Sequence, residues 1–143
     1  MRLGDMLHAI PIGMVEEVLP ALTLEPISGC SSFVRGVVFI RGEVIPVVSA
    51  AQRLGVQDHE IPDEFNIVCL RIDGRVVGVE FDEVIDLVPI QHARLLPANK
   101  LGARSGFFSG VIDHQGVIIR ILDPEKLIRE EDIVELDRVA TRR

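Results

Sequence analysis

Apolar residues in this chain fall in short bursts. Val37-Val38-Phe39-Ile40 and Val44-Ile45-Pro46-Val47-Val48 are bounded by Gly, Arg, Glu or Ser. Bursts of this length, rich in Val and Ile and punctuated by turn residues, read as strands. The segment from Arg71 to Val79 holds two of them joined by Asp73-Gly74. That dipeptide suits a type I′ hairpin turn, whose central residues both need positive φ. Phe39 to Ile45 reads as a second hairpin, turning near Arg41-Gly42-Glu43, and Ile112 to Ile118 as a third.

The pattern repeats. Phe33-x-x-Gly36-Val37-Val38-x-x-x-Gly42 returns as Phe107-x-x-Gly110-Val111-Ile112-x-x-x-Gly116, at a constant offset of 74 (33 to 107, 36 to 110, 42 to 116). Val44-Ile45-Pro46-Val47-Val48-Ser49 is answered by Ile118-Ile119-Arg120-Ile121-Leu122-Asp123. A helix start follows in both copies. Ser49-Ala50-Ala51-Gln52 has the Ser-x-x-Gln form of a capping box. Asp123-Pro124 places an N-cap Asp before a first-turn Pro. Upstream, Ala9-Ile10-x-Ile12-x-x-Val15 matches Gly78-Val79-x-Phe81-x-x-Val84 more loosely, at an offset of 69 shared by Pro20 and Pro89.

Two related halves of about five short strands each predict two small β-barrels side by side, since closure removes exposed sheet edges. The expected lobes are approximately 1–60 and 61–123, within a single domain of 1–143. The polar stretch from Gln57 to Glu64 is the expected linker. Residues 124–141 are expected to form a C-terminal helix, with Leu127, Ile128, Ile133, Leu136 and Ala140 near helical spacing.

A chain of 143 residues can bury roughly 68–70% of its unfolded surface, enough for a core without metal or disulfides. Apolar residues make up 48% of it and mean hydropathy is +0.32. No burst approaches the ~20 residues of a membrane-spanning helix. The start, Met1-Arg2-Leu3-Gly4-Asp5, has no signal-peptide core. The net charge is −7, Lys and Arg are scattered singly apart from the terminal Arg142-Arg143, and Trp and Tyr are absent. Nucleic-acid binding needs the opposite: a basic stripe or stacking platforms. Without a signal peptide, Cys30 and Cys69 read as two buried thiols in a reducing cytoplasm.

The block from Ser32 to Val48, SFVRGVVFIRGEVIPVV, resembles the CheW-like family of bacterial chemosensory coupling proteins. Val15-Glu16-Glu17-Val18 and Gly78-Val79-Glu80-Phe81-Asp82-Glu83-Val84 are similar to further family segments, so the resemblance spans nearly the whole chain. It implies a mainly β fold of two side-by-side five-stranded SH3-like barrels with short capped helices. It implies a non-enzymatic, cytoplasmic adaptor that couples the cytoplasmic tip of a methyl-accepting chemoreceptor to the regulatory domain of a CheA-type histidine kinase. A barrel that pairs with a homologous barrel can also pair weakly with itself. Carried over by position, Val15 and Glu17 face the receptor, Arg41 and Gly42 form a functional hairpin tip, and Gly36 and Gly110 support the interface through the backbone. This chain departs from the family at Ser49, where Asp is usual, and at His8, where Tyr is frequent. It also begins almost on its first strand, without the usual lead-in.

Each signal has a blander counterpart. Arg41 could be a solvated turn arginine, worth little to stability; the resemblance and the enrichment of Arg at hot spots favour the interface role. Gly36, Gly42, Gly110 and Gly116 fit neither dinucleotide nor P-loop spacing, so turn and close-packing roles are expected. His8, His59, His92 and His114 show no metal-ligand spacing and neither cysteine has a CxxC partner, so no metal, cofactor or catalytic residue is expected. The rival from another class is a small hydrolase using Cys30 with a remote histidine. A third reading keeps the adaptor but places it in a pilus-motility or developmental pathway. Glu80, Asp82, Glu83 and Asp86 are expected to be a solvated acidic face. Val15 is expected to be partly exposed and Val18 buried.

Overall fold

The computed structural model describes residues 1–56, 59–89, 94–97 and 106–141. The strands are β1 (Arg2–Leu3), β2 (Met6–Ala9), β3 (Val15–Leu19), β4 (Val34–Ile40), β5 (Glu43–Ser49), β6 (Asn66–Ile72), β7 (Arg75–Phe81), β8 (Arg94–Pro97), β9 (Phe108–His114) and β10 (Val117–Leu122). The helices are α1 (Ala50–Leu54), α2 (Pro124–Leu127) and α3 (Glu130–Thr141). A single 3₁₀ turn, Ile12–Met14, precedes β3.

The three expected hairpins form, each on a two-residue turn with positive φ at both positions. These are Arg41 (49°) with Gly42 (79°), Asp73 (51°) with Gly74 (75°), and Gln115 (54°) with Gly116 (83°). This backbone twist matches that of the flanking strands. Both helix starts also form as read: Ser49 Oγ accepts from the Gln52 amide at 3.1 Å, and Asp123 Oδ1 from the Glu125 amide at 3.0 Å.

The strands build two five-stranded sheets of mainly β, SH3-like architecture. The central sheet has the order β3-β6-β7-β5-β4 and the terminal sheet β1-β2-β10-β9-β8. Each contains one parallel pair, β5 with β7 and β10 with β2. The sheets do not follow consecutive lobes 1–60 and 61–123. The first hairpin, β1–β2, joins β9–β10 from the other end of the chain, and β6–β7 joins β4–β5. The repeat explains the exchange: β5 and β10 are equivalent edges, and each accepts the hairpin of the opposite half. The stretch from His59 to Glu64 lies between α1 and β6, inside the central unit, so it does not link the lobes. Gln57 and Asp58 of that stretch lie outside the described residues, as does His92.

Burial divides by strand alternation. Leu19, Val38, Ile45, Val47, Ile67 and Cys69 form the central sheet's own cluster. Ile112, Ile119 and Ile121 form that of the terminal sheet. The opposite faces meet in a third, larger cluster that runs from Leu3, Phe108 and Leu122 through Val48, Val68, Leu70, Val79 and Phe81 to Leu127, Ile133 and Leu136. One core therefore fuses the two sheets into one domain. The expected C-terminal helix is broken. Ile128 is extended (φ −110°, ψ 109°), ending α2. The Asp132 carboxylate then accepts from the Arg129 amide at 2.8 Å, the reciprocal half of a capping box that starts α3.

Gly36 has φ +147°, and a Cβ there would sit 2.5 Å from the Glu25 carbonyl oxygen. Its repeat partner Gly110 would meet Leu96 O at 2.9 Å. In both sheets the glycine lets a neighbouring segment cross at backbone distance: Glu25 bridges Val37, and Leu96 pairs with Val111. Gly36→Ala is expected to cost about 3 kcal/mol or more through clash plus strain. Gly42→Ala, with open space around it, is expected to cost only about 1–2 kcal/mol of left-handed strain. Equal losses in urea unfolding would refute the close-approach role.

His8 on β2 lies in the shared core, stacked on Phe108 at 5.9 Å and tilted against Phe81 at 6.5 Å. Burial pushes its pKa from 6.5 down to about 4, with Arg120 and the N-terminal ammonium adding repulsion. The unfolded chain therefore takes up this proton near pH 6.5 and the folded one only near pH 4. The stability His8 contributes is full above that window. It falls as pH drops through it, by up to about 1.4 kcal/mol per pH unit. His8→Phe is expected to flatten the dependence of unfolding free energy on pH across this range, and an unchanged slope would count against it.

Candidate functional site

β3 is an edge strand of the central sheet, paired only with β6. Its register shifts between Val15 and Glu17, a bulge at Glu16. Such an insertion re-aims side chains at an edge. Two consecutive carboxylates consequently reach different cations: Glu16 pairs with Arg71 of β6, and Glu17 with Arg41 in the β4–β5 turn. The second pair joins the two edges of the same sheet, β3 and β4, and shows how far that sheet curls. Arg41 is 74% exposed and Glu17 29%. Arg41 thus stands at the surface on a left-handed backbone (φ 49°), aimed by the turn and braced by one carboxylate. Its fork retains donor capacity for an incoming acceptor.

The structure brings Glu17, Arg41 and Gly42 together. Val15 is half-buried and packs against the shared core, so it sits behind this surface. Gly36 and Gly110 lie buried where segments cross and support the sheets from within. Val18 is exposed at 44%, against the expected burial. Alternation along β3 sends Leu19 into the core and Val18 outward. Phe39 is exposed at 48% for the same reason, since Val38 on β4 faces inward. Sequence reading passed over Phe39 as one residue of an apolar burst. Only the strand register separates it from its buried neighbours.

The expected acidic face is also redrawn. Glu83 and Asp86 are exposed, but Glu80 and Asp82 are buried at 4% and 5%. Glu80 faces Arg35 at 3.4 Å, and burial raises its pKa against that cation's pull. Asp82 accepts from the Gly4 amide at 2.8 Å and lies 2.7 Å from His59 Nε2. Their occurrence at i and i+2 placed them on one side of β7. What covers each could not be read from the sequence: Arg35 of β4 lies against Glu80, and Gly4 of the other sheet and His59 close on Asp82.

Among the described residues no group of His, Cys, Asp and Glu is arranged to hold a metal ion. No helix among them is long and apolar enough to cross a membrane. Cys30 is half-buried beside a cleft of about 300 Å³ lined by Gly29, Ser31, Glu131, Val134, Glu135, Arg138 and Val139, with no histidine in the lining. Cys69 is buried, and burial pushes its thiol up to about 11, assisted by Glu17 and opposed by Arg41.

The fold defines a mainly β protein built of two five-stranded sheets. Residues 1–132 match the CheW-like domain, and the chain belongs to the CheW-like family of chemotaxis scaffold and adaptor proteins. It is 30% identical to Chemotaxis protein CheW of Thermotoga maritima over 137 residues, covering 94% of this chain and 88% of that protein. It is 26% identical to CheW of Rhizobium meliloti over 133 residues (92% and 86%). It is 32% identical to Protein FrzA of Myxococcus xanthus over 131 residues (90% and 82%). The crystal structure of scaffolding protein TtCheW from Thermoanaerobacter tengcongensis superposes with a TM-score of 0.81, covering 92% of this chain and 90% of that one at 22% identity, a likeness of fold.

Cys69 in the folded protein is expected to resist iodoacetamide at pH 8 and to react on unfolding, read by intact-protein mass spectrometry. Rapid native alkylation of Cys69 would contradict its placement. Rapid alkylation of Cys30 would revive the hydrolase reading.

Proposed function

We propose that this protein is a non-enzymatic cytoplasmic adaptor that couples a chemoreceptor's cytoplasmic tip to the regulatory domain of a CheA-type histidine kinase. The observation that carries this reading is the exposed Arg41–Glu17 pair, which ties the hairpin tip to edge strand β3. An exposed Arg held in place by a carboxylate, with donors left over, is the kind of group that anchors protein interfaces. Arg41, Glu17 and Gly42 contact the partner directly. Val15 acts from behind, setting where Glu16 and Glu17 emerge. Gly36 and Gly110 keep the crossing segments in register. Coupling is then geometric: receptor and kinase each contact a different surface, and control requires that these contacts differ between the kinase's two states.

The likeness to Protein FrzA, at 32% identity, supports a second reading in which the same scaffold serves a related pilus-motility or developmental pathway. The two readings share their surface and differ in which host kinase is bound. Weak self-association through the lobes is compatible with both.

Calorimetric titration with the regulatory domains of the host's chemosensory kinases tests the proposal. Saturable one-to-one binding is expected. Arg41→Glu is expected to weaken it about tenfold or more while shifting the thermal midpoint little, since exposed pairs contribute ~0–1 kcal/mol to folding. Absence of binding by the folded wild-type protein to every host kinase domain would overturn the adaptor reading. A collapsed melt for Arg41→Glu would make that residue structural.

A further inference from the structure

The chain passes between its two sheets at two points within the first eighty-odd residues. After β2 it leaves the terminal sheet through the 3₁₀ turn and enters the central sheet at β3. After β7 it returns: Arg2 of β1 bridges Glu83, and Val88 packs with Ile112, Ile119 and Ile121 of the terminal sheet. These crossings are related by the offset of 69, yet they are built differently. The first is open, with Ile12 and Gly13 exposed and no side-chain cap on the turn. The second turns on Asp82, which is buried at 5%.

Both carboxylate oxygens of Asp82 are engaged, in different directions. Oδ2 accepts from the Gly4 amide at 2.8 Å, in the β1–β2 turn of the terminal sheet, with Arg2 Nη1 at 3.5 Å. Oδ1 faces His59 Nε2 at 2.7 Å, on the α1–β6 connection of the central unit, where the His59 side chain is 9% exposed. The Asp82 amide itself donates to Arg2 O at 3.1 Å. Glu80, with Arg35, lies on the same side of β7 within electrostatic reach of His59 and Asp82. The offset of 69 puts Gly13 at the position equivalent to Asp82, so the first crossing has no side chain to play this part. Apolar packing between the sheets is non-directional. Hydrogen bonds of fixed geometry in a buried site specify one arrangement.

We propose that Asp82 is a positioning residue that fixes the orientation of the two sheets at their second crossing, with His59 and the Gly4 amide as its two anchors. Its consequence for coupling rests on the adaptor reading: surfaces on different lobes transmit a shift only if the angle between the lobes is held. Asp82 itself need touch neither partner.

The test reads geometry without any partner. Spin labels are placed at the exposed, repeat-related positions Glu43 and Val117, one per sheet, in a Cys30→Ser background, where the fully buried Cys69 escapes labelling. Distance distributions are then measured by pulsed electron paramagnetic resonance. Asp82→Ala is expected to widen the distribution about twofold or shift its maximum, as a released hinge does. Gly4 amide exchange is expected to become about tenfold faster while amides of β6 hold their protection. Asp82→Asn, whose side-chain oxygen still accepts from Gly4, is expected to stay near the wild-type distribution. Should Asp82→Ala fail to fold, His59→Ala removes the other anchor and is expected to widen the same distribution. A wild-type width in every folded variant that removes an anchor overturns the proposal, as does a uniform loss of protection in both sheets. Failure of the wild type to bind a kinase would overturn the adaptor reading and leave this result intact.

Discussion

Two parallel strand pairs carry the architecture: β5 with β7, and β10 with β2. Parallel neighbours cannot be joined by a tight turn and must be brought together by a crossover. Here the crossovers run between halves, so each sheet borrows a hairpin from the other half of the repeat. Neither sheet is complete without both ends of its exchange. The apolar faces left over by the exchange close against each other in one shared core. That is why two pseudo-repeats form a single domain.

Polar groups buried at that seam are few, and they carry direction that hydrophobic contact lacks. His8 sits neutral between two phenylalanines, and Asp82 is hydrogen-bonded on both oxygens. Helix α3 is tied down similarly. Asp132 pairs with Arg53 at 2.9 Å, both largely buried, while the Arg53 guanidinium lies 3.8 Å over the Phe33 ring. At the surface the arrangement is reversed. The Glu17–Arg41 and Glu16–Arg71 pairs are exposed and screened, so they add little to folding and leave their donors and acceptors open to a partner. The same pairing chemistry serves orientation inside and recognition outside, and burial decides which.

Much of this was legible in the sequence. The three x-Gly turns, both capped helix starts and the offset of 74 all follow from local chemistry, and each formed at its expected residues. Arg41 and Glu17 could be named as candidates from resemblance, but not as each other's partner. They are 24 positions apart and meet only because the sheet curls. Val18 and Phe39 illustrate the limit more sharply. Within a burst such as Val37-Val38-Phe39-Ile40, which residue faces water depends on register, and a shift of one residue inverts every assignment.

The sequence by itself determined the hairpins, the caps and the existence of two related halves, because these depend on residues within a few positions of one another. It also determined that the glycines at 36 and 110 hold equivalent places. Tertiary structure decided which hairpin pairs with which edge, because Val44–Ser49 and Ile118–Asp123 are near-equivalent acceptors and no local signal tells them apart. It decided too that Glu80 is buried against Arg35 and that Asp82 lies against the β1–β2 turn of the other sheet. Burial of a charge is settled by what the rest of the chain brings against it, and that information is spread over the whole molecule.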